Sequence, residues 1–340
     1  MSTGALHDHV AIVGASSLLG KELKRVLEDR NFPASEIILL DTSEVAGILT
    51  DAAGEATFIR SLDEDSFEHA RFVFFTGSPV DARQNLSAAL SSGATVVDLT
   101  GGSLASTGAV ISSPSLSTML LPVPTKPSIP GPIYFSPSSP VLIAATLSAV
   151  LSKFSPARIA LTLFPPVSEF DQSGVDELES QSAALLSFRP ISQTVFDSQV
   201  AFNLLDRFGD SARSSLDKIR RTVSSITSQF LAGRAQSPAI QLIQAPMFYG
   251  YAFSAYAEFP ALPPASEVHS ALAALGVRIA SDEDPPPTNL AAAGEDNILL
   301  SPVRPDDSHP SAYWFWGVAD NLRFAAINAV RIAEDLLARQ

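Results

Sequence analysis

A doubly wound α/β domain joined to a second, mixed α+β domain is the fold this chain predicts, on three observations. Short apolar runs alternate with helical patterns through the first third, as in a parallel sheet wound with helices. From Val141 that alternation gives way to a long apolar helix and strand-like runs. The chain then closes on a helix, Asn321–Leu337, whose Leu322, Ala326, Ala329, Val330, Ala333 and Leu337 form one stripe suited to packing on a sheet. With 340 residues, 46% of them apolar, the chain can fill two cores. The expected division is 1–137 with 321–340 as one domain and 138–320 as the other.

Val10–Val13 predicts the first strand, followed by a turn, Gly14–Gly20, and a helix whose Leu19, Leu23, Val26 and Leu27 share a face. Ile37–Leu40, Phe72–Phe75 and Val96–Leu99 continue the strands, with a helix from about Ala82 to Leu90. Gly101 to Ser139 is rich in Ser, Pro and Gly and predicts a long irregular connection. Beyond the helix that follows Val141, strands are expected at Arg158–Phe164, Gln241–Met247 and Ala252–Phe259, and helices at Val175–Leu186 and Ala212–Leu231. Ser281–Asp296, with three consecutive prolines and several acids, predicts an exposed loop.

Composition narrows the function. The 22 basic and 36 acidic residues give a net charge of −14, which repels phosphate backbones and anionic lipid, so neither nucleic acid nor a membrane surface is an expected partner. Met1–Val13 lacks a basic n-region and the apolar run Val141–Leu151 is too short to span a bilayer, so a cytoplasmic location is expected. There is no cysteine, which removes disulfides, thiolate nucleophiles and thiolate metal sites together. The five histidines lack zinc-site spacing, and no metal is expected.

Gly14-Ala15-Ser16-Ser17-Leu18-Leu19-Gly20 lies between a strand and a helix, where backbone amides at a helix N-terminus receive a pyrophosphate. Ser17 stands where a dinucleotide fingerprint has its middle glycine, and its side chain is expected to crowd the phosphates. A turn that binds nothing stays open as the alternative. Asp41 ends the second strand 21 residues after Gly20, where an acid accepts hydrogen bonds from the adenine ribose. A loop-capping acid is the alternative there. This reading makes the first domain a Rossmann-type NAD(P)-binding domain.

Several stretches also carry a family resemblance. Val10-Ala11-Ile12-Val13-Gly14-Ala15, Leu23–Pro33 ("L-x-x-V-L-x-x-R-x-F-P"), Ser61–Phe67 and Val96-Val97-Asp98 ("V-V-I-D") come from the first domain. The second adds Val167-Ser168 with Gly174–Leu178 ("V-S-G-A-G-x-x-G-x-x-E-L"), Phe202-Asn203 ("F-N") and Ala245-Pro246-Met247 ("V-P-V"). Most specific is Gly317–Ala326, close to "G-D-N-L-R-K-G-A-A". On these motifs the chain resembles the aspartate-β-semialdehyde dehydrogenases, nearly end to end.

The resemblance implies NADPH-dependent reductive dephosphorylation of β-aspartyl phosphate through a thioester, on a homodimer. It also places this chain's departures. The family's thiol corresponds to Ser139, its acyl-positioning glutamine to Pro165, its carboxylate-binding arginine to Gln244, its acid–base histidine to Tyr251 and its phosphate arginine to Leu104. Lys218 alone remains of the substrate-anion contacts. The cofactor candidates are Gly14, Ser16, Ser17, Leu18, Leu19, Gly20, Asp41 and Asn321. The family's basic residue for the 2′-phosphate corresponds to Glu44, so if a dinucleotide binds, NAD is expected over NADP. The dimer contact is expected on Gln241–Met247 and Ala252–Phe259, where Phe248, Tyr249, Tyr251, Phe253, Tyr256 and Phe259 concentrate, with an intrachain core as the alternative.

A hydroxyl without a strong base is a far weaker nucleophile than a thiolate, and thiol, base and clamp are replaced together. The expected function is therefore that of a non-catalytic paralogue, a pseudoenzyme that keeps fold and dimer, with a small-molecule ligand in the former active cleft. The alternative is an NAD(P)-dependent oxidoreductase of altered chemistry on a small acid or aldehyde, with Tyr251 or Lys218 as proton donor. A serine hydrolase built on Ser139 lacks an identifiable histidine and acid.

Overall fold

The computed structural model describes residues 8–44, 47, 49–52, 55–63, 65–120, 133–281 and 283–339. The chain divides into two compact units, Met1–Ser138 with Ala325–Gln340, and Ser139–Phe324.

The first unit runs β1 (His9–Val13), α1 (Leu18–Asp29), β2 (Glu36–Asp41), a hairpin of β3 (Leu49–Ala52) and β4 (Glu55–Phe58), β5 (Arg60–Ser61), β6 (Ala70–Phe75), α2 (Pro79–Ser91), β7 (Thr95–Asp98), β8 (Val110–Ile111), α3 (Pro114–Leu120) and β9 (Ile133–Phe135). Seven strands form a parallel sheet in the order β5-β2-β1-β6-β7-β9-β8. Its strands are apolar on both faces because helices cover both. Val10 and Ile12 of β1 join a core with Leu23, Val26 and Leu27 of α1 and with Ala326, Val330 and Ala333 of the C-terminal helix. Ala11 and Val13, one residue out of phase, join the opposite core with Ala82 and Ala89 of α2.

The sequence expectation of an irregular connection from Gly101 to Ser139 needs correcting, although its residues 121–132 lie outside those described. β8, α3 and β9 are regular elements within it. Val110–Ile111 and Ile133–Phe135 are too short to show a period, and only pairing beside β7 makes strands of them.

The second unit runs α4 (Ser139–Leu151), β10 (Arg158–Phe164), a 3₁₀ turn Val167–Phe170, α5 (Asp171–Leu186), α6 (Leu216–Leu231), β11 (Ala239–Leu242), β12 (Tyr251–Glu258), α7 (Ala265–Ala273), β13 (Arg278–Ile279), β14 (Leu299–Leu300), β15 (Arg304–Pro305), β16 (Ala312–Ala319) and α8 (Asn321–Ala338), which continues into the first unit. The mixed sheet has the order β11-β10-β12-β16-β14-β13, with β15 paired to β16. α4 is buried along its whole length and packs on β10, α6 and α7, as expected of a helix apolar on every side.

Alternation along β12 divides the aromatic residues expected to form a dimer contact. Tyr251 and Phe253 are fully buried in the core with Phe259, whereas Tyr256 lies half-buried on the other face. Half of that expected surface is thus intrachain core, because successive strand residues point to opposite faces. The open face gains instead Trp314 and Trp316 of β16, a strand the sequence reading did not separate from the motif that follows it; they are 44% and 42% exposed.

Candidate functional site

In the first unit, β1 ends at Gly14 with a φ of +85°, and a Cβ there would meet the Gly77 backbone nitrogen at 2.3 Å. Ser17 does not project toward an incoming phosphate as its sequence position suggests. It is the N-cap of α1, its hydroxyl accepting from the Gly20 amide at 3.0 Å and donating to the Gly14 carbonyl at 2.7 Å. The side chain is folded back onto the turn, so the turn fits a dinucleotide. Asp41 ends β2 nearly buried, with one carboxylate oxygen accepting from the Ser16 amide at 2.9 Å and the other from the Thr42 amide at 2.8 Å. It caps the loop, and each oxygen keeps a lone pair for a ribose hydroxyl. Leu18 and Leu19 begin α1, and Gly20 packs against the Gly14 carbonyl. Glu44 is exposed in the turn after β2, and Leu104 is half-buried.

In the second unit Ser139, Ser168, Glu169 and Gly250 gather around Asn321, the first residue of α8. Asp320 caps this helix, its carboxylate accepting from the amides of Leu322 at 3.0 Å and Arg323 at 2.9 Å. Asn321 is 2% exposed and its side chain is fully employed: Oδ1 accepts from the Gly250 amide at 2.9 Å, and Nδ2 donates to Ser168 Oγ at 3.1 Å and to Glu169 Oε1 at 3.2 Å. Gly250 has a φ of +82° and sits against the Asn289 backbone, so only glycine offers that amide without strain. Ser139, at the head of α4, donates its hydroxyl to the Asn321 carbonyl at 2.6 Å and is 1% exposed.

Gln244 is wholly buried, and its amide nitrogen donates to the carbonyls of Pro165 and Ala245, both at 2.9 Å. Those two carbonyls fix the amide's orientation and leave its Oε1 without a donor. Tyr251 begins β12 fully buried, its hydroxyl facing the Glu169 carboxylate. Lys218 stands exposed in the first turn of α6, and the structure places it in none of these contacts.

Glu169 is the residue that sequence reasoning misses. Its one signal is that the motif matched by Val167-Ser168 continues with glycine where this chain has a carboxylate. Glu169 is exposed, yet loss of hydration at its carboxyl pushes its pKa from 4.5 up to about 6 against the opposing hydrogen bonds from Asn321 and Tyr251. Burial, and then the neighbouring Glu169, push the Tyr251 phenol well above its usual 10. A phenol held there stays protonated at neutral pH and cannot serve as a base, and the Ser139 hydroxyl is committed to a carbonyl. The cluster offers hydrogen-bond acceptors and one carboxylate, and no activated nucleophile.

Residues 9–117 match the semialdehyde dehydrogenase NAD binding domain, and residues 151–324 match the semialdehyde dehydrogenase dimerisation domain. The chain belongs to the semialdehyde dehydrogenase family. A USG-1 protein homolog of Azotobacter vinelandii is 29% identical, with 96% of this chain and 97% of that one covered. The aspartate-semialdehyde dehydrogenase of Rickettsia bellii is 28% identical over 97% of each. A solved structure of a probable aspartate-semialdehyde dehydrogenase from Pseudomonas aeruginosa superposes with a TM-score of 0.84 at 29% identity, covering 97% of this chain and 98% of that one. This chain is thus an aspartate-semialdehyde dehydrogenase-like protein that lacks the family's cysteine. Among the described residues no helix is long and apolar enough to cross a membrane.

The Glu169 carboxyl is held above its ordinary range, so its protonated form favours the folded state. That stabilisation is complete below about 4.5 and is lost as pH rises through about 6. Chemical denaturation of wild type against Glu169→Gln should show wild type losing ground across this window and then levelling. A difference that stays flat from pH 4 to 7 would refute the environment described for Glu169.

Proposed function

We propose that this chain is a non-catalytic member of its family, a binding protein that keeps the scaffold and has exchanged the thioester site for a ligand site. The observation that carries this reading is Ser139. A hydroxyl occupies the nucleophile's position, shut off from solvent and donated to the Asn321 carbonyl. The surrounding replacements agree with it, since Gln244 has no charge with which to hold a carboxylate and Tyr251 is held protonated, unable to act as a base. An oxidoreductase of altered chemistry would need a proton donor within reach of substrate, and Tyr251 is sealed from solvent while Lys218 lies outside the cluster.

The family match to an NAD binding domain and the inward-turned Ser17 support a dinucleotide in the first unit. The backbone of Gly14, Ser16 and Ser17 would face its pyrophosphate, and Asp41 its adenine ribose. When bound, it would supply a hydride donor or acceptor. With Asp41 at the end of β2 and exposed Glu44 close after it, our reading is NAD rather than NADP, since carboxylates there repel a 2′-phosphate. The family's dimerisation domain, together with the exposed Trp314 and Trp316 and half-buried Tyr256 on one sheet face, supports a homodimer.

Purified protein should show no aspartate-semialdehyde dehydrogenation, and Ser139→Cys should not restore it, because thiolate, base and clamp act as a unit. Measurable wild-type turnover would end this reading. Calorimetry should find NAD bound at least about tenfold more tightly than NADP, a difference of roughly 1.4 kcal/mol; tighter NADP binding would reverse the cofactor assignment. Light scattering at micromolar concentration should give twice the 35.9 kDa of one chain, and a monomer mass would remove the dimer.

A further inference from the structure

The open face of the mixed sheet is uneven, and the strand registers locate its low point. One row across that face runs from Ala239 on β11 to Ala160 on β10, Tyr256 on β12 and Trp314 on β16, each the register partner of the next. Register partners stand side by side, so two methyl groups adjoin two aromatic rings and the surface drops from the rings to the methyls. The recess so formed has a volume of about 530 Å³. Ala160 and Ala239, both exposed, are its floor. Half-buried Tyr256 is a wall, extended edge-on by the ring of His309, whose centre lies 6.4 Å from that of the tyrosine. The neighbouring row brings two opposite charges to the same recess. Arg158 at the start of β10 is the register partner of Glu258 at the end of β12, and both line it. Among the described residues neither is drawn into an ion pair, and both charges are felt at the Tyr256 hydroxyl.

We infer that this recess is a binding site for a free α-amino acid with an apolar side chain. The Arg158 guanidinium is the partner of the ligand's carboxylate and the Glu258 carboxylate that of its ammonium group, while its side chain lies over Ala160 and Ala239 against the Tyr256 ring. An apolar hollow with a few placed polar groups is the usual make-up of a small-molecule site. Charge decides the class of ligand. A simple anion meets the like charge of Glu258 beside Arg158, and a simple cation meets Arg158 beside Glu258, whereas a zwitterion satisfies both. A metal ion is excluded by its ligand needs, since no three carboxylate or imidazole side chains converge among the described residues.

The site is separate from the Asn321 cluster. Pro165 and Tyr251 lie at the opposite ends of β10 and β12, about 20 Å along the strands at roughly 3.3 Å of rise per residue. No residue of that cluster takes part, so the inference does not rest on the non-catalytic reading. β11 is the last strand of its sheet, and Arg158 and Glu258 stand at strand ends, which puts the recess in a corner of the face. A corner belongs to the polar, water-reached margin of an interface built on Trp314 and Trp316.

The test titrates the full-length protein, in the assembly it forms, with L-phenylalanine by calorimetry and saturation-transfer NMR. Two further probes keep the ring and lack one charge each, phenethylamine the carboxylate and N-acetyl-L-phenylalanine the ammonium group. Saturable binding of L-phenylalanine is expected, with either probe weaker by about tenfold or more, as for the loss of one charged hydrogen-bonded contact. Arg158→Met should bring L-phenylalanine down to the level of phenethylamine, and Glu258→Gln down to that of N-acetyl-L-phenylalanine. Ala160→Leu, which fills the floor, should abolish binding. Thermal melting checks that each variant is folded, and the two charge changes, at exposed and half-buried positions, should melt with wild type. No saturable binding by wild type, as when a second copy covers the recess, would overturn the proposal. Binding unchanged in folded Arg158→Met and Glu258→Gln, or a singly charged probe that equals L-phenylalanine, would do the same.

Discussion

One buried side-chain amide, that of Asn321, fastens together segments that are far apart in the chain. It receives the Gly250 amide ahead of β12 and donates to Ser168 and Glu169 of the 3₁₀ turn, and its backbone carbonyl receives the Ser139 hydroxyl at the head of α4. Each partner is separated from it by at least 71 residues of sequence. A buried amide left without its acceptor costs about 1–3 kcal/mol, which gives the arrangement a single geometry. The start of α8 therefore positions Ser139, Ser168, Glu169 and Gly250, and it does so within the second unit.

Three carboxylates show how differently the fold treats negative charge. Asp98, fully buried, accepts from the amides and hydroxyls of Thr100 and Ser103 at 2.6–2.7 Å and so shapes the loop after β7. Glu177 in α5 accepts from the amide and hydroxyl of Thr194 and from the amides of Val195 and Phe196. Both are saturated by local donors, as a structural carboxylate must be. Glu169 has one amide donor and a buried phenol, with water on its open side. The contrast separates carboxylates that hold the chain in shape from one that stays open to solvent.

Retention of the family scaffold has a physical basis. The family's landmarks that survive here are those that pack or cap: the strand and turn at Val10–Ala15, the Asp98 loop, and the tail where Asp320 caps α8. At the positions that the resemblance makes catalytic, Ser139, Gln244 and Tyr251 are buried, and the first two are held by hydrogen bonds to backbone carbonyls. Such residues fit the core by packing and hydrogen bonding, so the fold does not depend on their chemistry.

The sequence by itself determined the wound parallel sheet, the fully buried α4 and the amphipathic α8, because each rests on a hydrophobic period that local residues impose. It also determined the loss of the thiol, which no arrangement of a cysteine-free chain can supply. Tertiary structure alone decided the rest. Val110–Ile111 and Ile133–Phe135 became strands only by pairing, Ser17 became a cap only because its hydroxyl turned inward, and Tyr251 and Phe253 went to the core because the register of β12 put them there. Glu169 was invisible for the same reason. A lone glutamate in a short turn carries no periodic signal, and its raised proton affinity arises from a loss of hydration that only the folded chain produces.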